Sequence, residues 1–546
     1  MQVQDSPIQS ARIKEFTETG HWRPSTLVDE LDRAASESTT KIAVIDHRGS
    51  FDYADYRARA RRLAAHFVRL GLTSDDVVAV QLPNWSEFPI VIAAATIAGV
   101  PFCQLHSDFR NRELEFMLGF IDATTLVLPA EFRGFDYLAM LEALRPRVPR
   151  LRHVLVVAHD VPEQYVDLRR ILAEPSTPDD GVLAPRRPHG NDLMRAAFTS
   201  GTTGDPKVVL HLHNTTNPAI RFLNRGQEVT SDSVFLLFLP IGLNWGFFNV
   251  MQSLFAGCTL VLQDVFNAKR ALALIEQHRV THFCCAPAHL VAMLAVPEFD
   301  RFDLSSLQHI MTGGASCPIE VIRAVQARMP GHLLEMYGML ECGTQAHTTI
   351  ADDPESVCGT VGRPVPEMGI RVVDERGVEC PPDGVGEVLT YGPSLTVGYY
   401  RNPDANARSF TSDGWFHTGD LGTLDSRGLL RIVGRKKEMI IRGGANIYPR
   451  EIEEILYEHP SVLDAAVVGI PDDRLGERVC ACLVAKPGQT LSAEEVLGFL
   501  NGRIARYKVP EFIEIIGSLP RTPTGKVQKL PLREMMVRRL AAQQAG

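Results

Sequence analysis

The stretch FTSGTTGDPK, residues 198–207, combines four hydroxyl side chains, two glycines and a lysine after a short apolar lead-in. Glycine lets the backbone curl closely around an anion, so that backbone N–H groups and hydroxyls can point at phosphate oxygens. A flexible Gly/Ser/Thr linker is the alternative interpretation, but linkers rarely interleave proline and lysine in this way. The stretch therefore predicts a phosphate-binding loop made of Thr199, Ser200, Gly201, Thr202, Thr203, Gly204 and Lys207.

A Walker P-loop is the nearest competing motif, and its spacing fails here. Counted from Gly201, that motif requires a glycine where Pro206 stands. It also requires a serine or threonine after the lysine, where Val208 stands. We therefore expect a nucleotide-binding loop of another kind.

The chain as a whole has an ordinary globular composition and no excess of positive charge. Its 546 residues correspond to roughly three to four domains of ~150 residues, and 45% of them are hydrophobic, enough for sizeable cores. The net charge of −9 argues against nucleic acid or an anionic membrane as a partner. The N-terminus lacks the apolar core of a signal peptide. The most apolar stretch, residues 88–105, is interrupted by Pro89, Gly99 and Pro101 and predicts a buried helix leading into a strand. We expect a cytoplasmic protein with no integral membrane association.

The ten cysteines are scattered, and none forms a C-x-x-C pair. Only Cys284 and Cys285 are adjacent, and Cys480 and Cys482 are separated by one residue. This spacing favours reduced, mostly buried thiols over a disulfide framework or a zinc site.

Short apolar runs alternate with helical patterns between about residues 40 and 430. Strands are predicted at 77–83, 125–129, 153–158, 234–240, 259–264 and 282–287, and helices at 53–70 and 268–278. This alternation indicates α/β layers with mainly parallel sheets covered by helices. After about residue 360, shorter runs separated by turn residues predict a β-rich subdomain.

A compact α+β unit follows the β-rich region. It is predicted to contain a helix at 449–459, strands at 464–470 and 479–485, and a helix at 492–505. The short cationic segment GRKKEM, residues 434–439, is the best interdomain linker. We therefore predict an N-terminal domain over residues 1–434, a hinge at 435–439 and a C-terminal domain over 440–546.

Six motifs in order resemble those of the adenylate-forming superfamily, which contains acyl- and aryl-CoA synthetases, carrier-loading adenylation domains and firefly luciferase. After the phosphate loop come MTGGAS (311–316), EMYGMLE (335–341), GWFHTGD (414–420), GRKKEMIIRGGANIYPREIEE (434–454) and LPRTPTGKVQK (519–529). The resemblance covers nearly the whole chain and points to the acyl- and aryl-CoA synthetase branch. It implies an α/β fold with a large AMP-binding domain of layered α/β subdomains plus a β-rich subdomain, and a small mobile C-terminal α+β lid domain.

The resemblance also implies catalytic roles for Lys526 and Glu341. Lys526 would bridge the substrate carboxylate and the nucleotide, because opposite charges ~4 Å apart attract by roughly 4 kcal/mol at an effective dielectric near 20. Glu341 would hold Mg²⁺ against the phosphates of ATP. In isolation Lys526 would be interpreted as a solvated surface charge, and it is the surrounding PTGK that favours a functional role.

The nucleotide-binding set follows from the same family pattern. Tyr337 would stack on adenine, with Gly314 and Ala315 lining the other side. Asp420 and Arg435 would bind the ribose hydroxyls, where a carboxylate forms charge-assisted hydrogen bonds. The remaining cofactor-binding residues that the motifs imply are Glu335, Met336 and Gly338.

The hinge of the family falls on Lys437, where the backbone bends between two orientations of the C-terminal domain. In one orientation Lys526 would face ATP and the acid. In the other, Gly443 and Gly444 would approach the nucleotide and help to form a tunnel for the pantetheine of coenzyme A, a role that suits glycine. The resemblance thus implies a two-step enzyme whose domains alternate.

The acid-binding stretch is LPIGLNWG, residues 239–246. Many relatives carry an aromatic ring or histidine where Leu243 lies, whereas Asn244 is typical of members that use aryl acids. With Trp245 and Phe248 nearby, the site is predicted to be apolar, and this stretch contains no lysine or arginine to pair with a second carboxylate. We therefore expect a compact hydrophobic monocarboxylic acid that is alicyclic, benzoate-like or medium-chain, with cyclohexanecarboxylate as a representative.

Two enzymatic functions stay open at this point. The first is an AMP-forming acid–CoA ligase that uses ATP, Mg²⁺ and coenzyme A. The second is a stand-alone adenylation enzyme that loads an aryl or acyl group onto a carrier protein, and CoA-dependent release of AMP would distinguish the two. A non-enzymatic nucleotide sensor is disfavoured because Lys526, Glu341 and Asp420 are all present. The expected partner is a small-molecule carboxylic acid, and a homodimer is one assembly to consider.

Overall fold

The computed structural model describes residues 7–175, 180–199, 206–315, 317, 319–521 and 527–545. Two parts of the predicted site therefore lie outside the described residues, namely Lys526 and the inner phosphate loop of Ser200, Gly201, Thr202, Thr203 and Gly204. Over the ranges that are described, no helix combines the length and the apolar character needed to cross a bilayer.

Strands and helices alternate over most of the chain. The strands are β1 (Ile42–Asp46), β2 (Gly49–Asp52), β3 (Val78–Val80), β4 (Phe102–Gln104), β5 (Thr125–Pro129), β6 (Glu131–Phe132), β7 (Phe135–Asp136), β8 (His153–Val157), β9 (Val166–Asp167), β10 (Leu193–Phe198), β11 (Val208–Leu212), β12 (Val234–Leu237), β13 (Thr259–Leu262), β14 (His282–Cys285), β15 (His309–Gly313), β16 (His332–Met339), β17 (Gly343–His347), β18 (Arg363–Pro364), β19 (Gly369–Val373), β20 (Gly386–Tyr391), β21 (Phe416–Leu424), β22 (Leu430–Arg435), β23 (Ile440–Arg442), β24 (Ala445–Ile447), β25 (Val462–Asp472), β26 (Gly476–Ala485) and β27 (Phe512–Ile515). The α-helices are α1 (Pro7–Glu18), α2 (Leu27–Glu37), α3 (Tyr53–Arg69), α4 (Glu87–Ile97), α5 (Asn111–Phe120), α6 (Tyr137–Leu144), α7 (Leu168–Leu172), α8 (Asp180–Leu183), α9 (His213–Gly226), α10 (Asn244–Ala256), α11 (Ala268–His278), α12 (Pro287–Leu294), α13 (Ile319–Arg328), α14 (Pro354–Gly359), α15 (Pro403–Ser409), α16 (Pro449–Tyr457), α17 (Ala493–Leu500) and α18 (Lys529–Ala545).

The first large sheet has the strand order β11-β10-β4-β3-β5-β8-β9. Its neighbouring strands are parallel, except that β10 and β11 form an antiparallel pair at one edge. Strand β5 is buried along its whole length, as expected when helices cover both faces of a parallel sheet. The β10–β11 pair therefore brings together Phe198 and Val208, which flank the predicted phosphate loop.

The second large sheet has the order β18-β17-β16-β15-β14-β12-β13-β1-β2 and is parallel from β16 to β1. Its core is continuous with one face of the first sheet through α3, α4, α9 and α10. Helix α4 is buried on every side and leads into β4, which confirms the expectation for residues 88–105. The rings of Phe102 and Phe247 lie 5.7 Å apart and join the first sheet to α10. The predicted α/β layers are thus confirmed.

Two smaller sheets complete the fold. Strands β19 to β22 form the predicted β-rich region as an antiparallel meander. Near the C-terminus, β24-β23-β26-β25 form a further sheet to which β27 adds in parallel, with α16 and α18 packed against β25. The helix predicted at 492–505 is shorter than expected and ends at Leu500, because Asn501 leaves the helical conformation and Gly502 has φ +77°.

The cysteines fit the predicted pattern of free thiols that mostly serve packing. Cys284 and Cys285 lie on β14 inside the main core, and Cys480 and Cys482 lie on β26 inside the C-terminal core. All ten cysteines are within the described residues, and each is a free thiol.

Candidate active site

The base of the predicted phosphate loop is closed by two hydrogen bonds between Thr199 and Lys207, which flank β10 and β11. The Thr199 N–H donates to the carbonyl of Lys207 at 2.9 Å, and the Lys207 N–H donates to Thr199 Oγ1 at 3.1 Å. The Lys207 Nζ lies 4.5 Å from the ring centroid of Tyr399, within the range of a cation–π contact. The two ends of the predicted loop are therefore held together, and the Lys207 side chain contacts Tyr399.

Glu341 follows β16 and is almost fully buried, with 9% of its surface exposed. The Tyr399 hydroxyl donates to Glu341 Oε1 at 2.9 Å, which joins Lys207, Tyr399 and Glu341 into one chain of contacts. Burial, reinforced by Glu341, raises the pKa of Tyr399 far above its ordinary value, so the phenol stays a hydrogen-bond donor.

The surroundings of Glu341 fit a magnesium ion held mainly by a nucleotide. Among the described residues, no cluster of three or more His, Cys, Asp or Glu side chains could by itself hold a metal ion. Mg²⁺ commonly keeps several waters and binds one or two carboxylates together with substrate phosphates. A single buried carboxylate beside the phosphate-loop lysine suits that mode of binding.

Asp420 is the centre of a second group. Tyr337 donates its hydroxyl to Asp420 Oδ2 at 2.6 Å, and Arg435 Nε lies 2.7 Å from Oδ1. Asp420 and Arg435 are register partners on β21 and β22, whereas Tyr337 comes from β16 of the second large sheet. A carboxylate has about four lone-pair sites, so these two donors leave room for two hydroxyls of a ligand.

Negative groups around Arg435, including Glu341, stabilise its positive charge. Burial opposes the charge of Arg435, but Asp420, Tyr337, Glu438 and Glu341 outweigh it and raise the pKa of Arg435. Burial, followed by Asp420, raises the pKa of Tyr337 well above its usual range.

The residues expected beside adenine lie on two neighbouring parallel strands. Gly313, the last residue of β15, pairs with Met336 of β16, and Gly314 and Ala315 follow it at the surface. The structure thereby brings the MTGGAS and EMYGMLE motifs together. Gly338 lies at the far end of β16, where a Cβ would meet the carbonyl oxygen of Gly343 at 2.5 Å.

Glu335 is a buried carboxyl on the same strand. Burial raises its pKa well above the ordinary value, although Arg450 and Cys317 act in the opposite direction. Its backbone N–H donates to Thr348 Oγ1 at 2.8 Å, and its Oε1 has no donor among the described residues.

The residues expected to bind the acid lie at the start of α10. Leu243, Asn244 and Trp245 are partly exposed, whereas Phe248 one turn further is buried. A Cβ on Gly313 would lie 2.7 Å from the Met336 carbonyl oxygen and 3.3 Å from Cη2 of Trp245. Glycine at position 313 therefore lets the Trp245 ring pack against β15.

The acid-side stretch is less apolar in the fold than the sequence predicts, because Arg195 of β10 reaches it from another part of the chain. Arg195 Nη2 donates to Asn244 Oδ1 at 2.7 Å. Its guanidinium carbon lies 4.2 Å from the ring centroid of Phe247. The stretch itself contains no cation, but its tertiary neighbour supplies one.

The predicted hinge residue, Lys437, follows Arg435 of the Asp420 group by two positions. Lys437 occupies a 3₁₀ turn at Lys436–Glu438 and is exposed to solvent, although its ammonium group is partly desolvated. Burial lowers the pKa of Lys437, and Arg435 and Lys207 lower it further.

Gly443 and Gly444 form the turn between β23 and β24 and face solvent. Their φ values of +57° and +83° explain the choice of glycine there. The Gly443 N–H donates to the carbonyl of Leu475 at 2.7 Å, within the C-terminal sheet. In this arrangement the glycine turn is held by its own sheet.

Two family models match most of the chain. The model of the AMP-binding enzyme matches residues 31–400, and that of the AMP-binding enzyme C-terminal domain matches residues 451–526. The chain belongs to the AMP-binding enzyme family. The predicted resemblance to the adenylate-forming superfamily is thereby confirmed.

Individual relatives of this AMP-binding enzyme agree over nearly the full length. It is 35% identical to a medium-chain fatty-acid–CoA ligase of Escherichia coli, over 96% of this chain and 93% of the relative. It is also 35% identical to a 2-hydroxy-7-methoxy-5-methyl-1-naphthoate–CoA ligase of Streptomyces carzinostaticus, over 95% and 94%. The solved structure of the amide bond synthetase McbA from Marinactinospora thermotolerans superposes with a TM-score of 0.84 at 30% identity, covering 93% of this chain and 99% of McbA. The relatives place the chain in the acid–CoA ligase branch and confirm the predicted two-domain α/β architecture.

Sequence reasoning missed several residues that shape the site of this AMP-binding enzyme. Tyr399 lies outside the quoted motifs, and its contact with Glu341 depends on the packing of the segment after β20. Arg12 of α1 is buried, and its guanidinium donates to the carbonyls of Leu395 and Thr396. The Thr396 N–H in turn donates to the Glu341 carbonyl at 2.7 Å. No local sequence signal reveals these contacts. Arg195 could have been singled out, because it is a charged residue within an otherwise apolar strand.

Proposed function

We propose that this AMP-binding enzyme activates a compact, largely hydrophobic carboxylic acid with ATP and transfers the acyl group to coenzyme A. In the first step a carboxylate oxygen attacks the α-phosphorus of ATP, an acyl adenylate forms and pyrophosphate leaves. In the second step the sulfur of coenzyme A attacks the acyl carbon and the thiol proton is released. The carbon–oxygen bond to the phosphate breaks, and AMP leaves.

The observation that carries the proposal is that residues of four separated motifs come together in two groups. Lys207 and Glu341 are joined through Tyr399, and Asp420 is held between Tyr337 and Arg435. We infer that Asp420 and Arg435 bind the ribose and that Lys207 binds a phosphate. Adenine would lie between Tyr337, which stacks on it, and Gly314–Ala315 on the other side. An anionic nucleotide next to an anionic acid needs fixed cations and donors, which these two groups supply.

The resident metal would sit at Glu341. Bound Mg²⁺ would offset phosphate charge during the attack. Glu341 would hold the ion, and the Tyr399 hydroxyl would orient the carboxylate through its hydrogen bond to Oε1.

The two steps would use two orientations of the proposed C-terminal domain relative to the N-terminal domain. We assign the N-terminal domain to residues 1–434, the hinge to 435–439 around Lys437, and the C-terminal domain to 440–546. Lys526 would bridge the acid and the nucleotide in the first step. Gly443 and Gly444 would approach the nucleotide in the second step, after rotation about the hinge.

The proposal is tested with Lys526→Ala and two separate assays. Acyl-adenylate formation from ATP, followed by pyrophosphate release, should fall at least about 100-fold, the usual cost of removing a group that stabilises transition-state charge. Thioester formation from supplied acyl adenylate and coenzyme A should change little. Lys486→Ala is the matched control, since Lys486 is an exposed lysine just after β26 of the same domain. Equal loss of both steps would contradict the assigned role.

The carrier-protein alternative has one feature in its favour, the asparagine at position 244. The purified protein with ATP, acid and coenzyme A, but without any partner protein, separates the two functions. Release of AMP that depends on coenzyme A supports the ligase. Adenylate formation without CoA-dependent AMP release would favour transfer to a carrier protein instead.

A further inference from the structure

Arg195 is the most deeply buried cation of the described chain. It lies on β10, four residues before Thr199 of the predicted phosphate loop, and none of its surface is exposed. Nη2 donates to Asn244 Oδ1, whereas Nε and Nη1 have no hydrogen-bond acceptor within the described ranges. The guanidinium carbon lies 4.2 Å from the ring centroid of Phe247 and 5.5 Å from that of Phe248.

No described carboxylate compensates this charge. Burial lowers the pKa of Arg195 to about 9. A Cys103 thiolate would favour the charged guanidinium, but burial raises the pKa of this thiol and keeps it neutral. The guanidinium therefore stays charged near neutral pH. Burying an ion without a counter-charge is strongly unfavourable, which makes such an arginine rare in a purely structural role.

Arg12 offers a comparison, because it is also buried and its Nε likewise has no described partner. Both terminal nitrogens of Arg12 donate to backbone carbonyls, those of Leu395 and Thr396. In Arg195, by contrast, Nη2 donates to the side chain of Asn244, and both Nε and Nη1 have no acceptor among the described residues. The difference points to an acceptor that comes from outside the polypeptide.

Asn244 shows where that acceptor would enter. Its Oδ1 accepts from Arg195, so its Nδ2 is left as a pair of donors on a partly exposed residue at the start of α10. The same stretch supplies Leu243, Trp245 and Phe248 to the proposed acid site. Arg195 and Asn244 thus offer N–H donors, and no free acceptor oxygen, to a bound acid. The rings of Phe247 and Phe248 lie against the guanidinium.

We propose that Arg195 and Asn244 form a specificity site for an acceptor oxygen, a carbonyl or a second carboxylate, carried by the acid away from the carboxylate that is activated. This inference rests on the proposed ligase function. The apolar walls bind the compact ring or chain, and the guanidinium selects acids whose far side carries the oxygen. The substrate class is therefore an oxygenated carbocyclic or aromatic acid rather than a plain hydrocarbon acid.

The test compares acids of one skeleton in the wild-type enzyme. Cyclohexanecarboxylate, 4-oxocyclohexanecarboxylate and trans-cyclohexane-1,4-dicarboxylate are each assayed with ATP and coenzyme A for thioester formation. At least one oxygenated acid should exceed cyclohexanecarboxylate in kcat/KM by about 10- to 100-fold, because the plain acid leaves buried donors unpaired. The two oxygenated arms distinguish a carbonyl from a carboxylate as the preferred group.

Arg195→Met then shows whether the guanidinium causes the preference. Methionine can keep the packing on Phe247 but donates no hydrogen bond, so the ratio between the oxygenated and plain acids should fall to within about threefold of unity. Arg195→Lys should restore part of the ratio. Arg221→Met is the matched control, a partly buried arginine of α9 with its guanidinium 5.9 Å from Phe255, and it should leave the ratio unchanged.

Each outcome decides the matter. A wild-type preference of less than twofold for every oxygenated acid overturns the inference, and so does an equal loss for all acids in Arg195→Met. If Arg195→Met does not fold, Asn244→Leu replaces it, and an unchanged acid ratio in that variant is again contrary to the inference. Absence of turnover with every acid in the wild type would instead refute the proposed ligase function.

Discussion

Asp420→Asn is the sharpest perturbation of the proposed nucleotide site, because it keeps the size of the side chain and removes one acceptor. In the wild type each carboxylate oxygen serves one donor, Tyr337 at 2.6 Å on Oδ2 and Arg435 at 2.7 Å on Oδ1. Asparagine offers a single oxygen, and its NH₂ would face whichever donor is left. One of the two donors must therefore lose its partner.

The two contacts differ in how much their loss should cost. The bond from the buried Tyr337 hydroxyl to a charged acceptor is worth about 1.5–3 kcal/mol. The Arg435 side chain is 39% exposed, so its ion pair is screened by water and contributes only about 0.2–1 kcal/mol. Ribose hydroxyls would also lose a charged acceptor. We expect the apparent affinity for ATP to fall about 10- to 100-fold, since 1.4 kcal/mol corresponds to a factor of ten.

The assay is isothermal titration of AMP and ATP together with KM for ATP in pyrophosphate release. Asp46→Asn provides the control, because Asp46 is also buried and also accepts from an arginine, Arg48 at 2.6 Å, but lies on β1 outside the proposed site. That control should lower the melting temperature and leave the ATP constants within about twofold, a change below 0.5 kcal/mol. Nucleotide binding by Asp420→Asn within twofold of the wild type would refute the ribose assignment.

Two further predictions concern stability and shape. Burial lowers the pKa of His282 to about 4, whereas an unfolded histidine titrates near 6.5. The neutral ring therefore contributes fully to the free energy of unfolding above pH ~6.5. As the pH falls towards 4, that contribution, up to ~3 kcal/mol, is lost. His282→Gln can still donate to the Gln227 carbonyl and should weaken the loss of urea resistance between pH 7 and pH 4.5, measured by pulse proteolysis, and an unchanged pH dependence would argue against this origin. Gly313→Ala places a methyl group 2.7 Å from the Met336 carbonyl oxygen and should reduce kcat/KM for ring acids by about 5- to 100-fold, the usual range for overpacking. Gly498→Ala, which has open space around its Cβ position on α17, should keep full activity, and normal turnover by Gly313→Ala would show that this close approach is not required.

Most strands and helices were predictable because their signals are local. The run Thr125–Pro129 and the helix Ala268–His278 appear at the predicted residues, since apolar period and chain neighbours alone specify such elements. The helix end at Leu500 was not predicted, because the apolar pattern continues past Asn501 while Gly502 takes a positive φ.

The family and the reaction class were likewise readable from motifs, because phosphate loops and carboxylate boxes are short runs of contiguous residues. The polarity of the proposed acid site could not be predicted from the sequence in this way. Arg195 and Asn244 are 49 positions apart, and only the packing of the β10 sheet against α10 makes them partners. The same holds for Tyr399 on Glu341 and for Asp420 between Tyr337 and Arg435. A side chain's type is written in the chain, but its dielectric surroundings and its partner depend on which surfaces meet after folding.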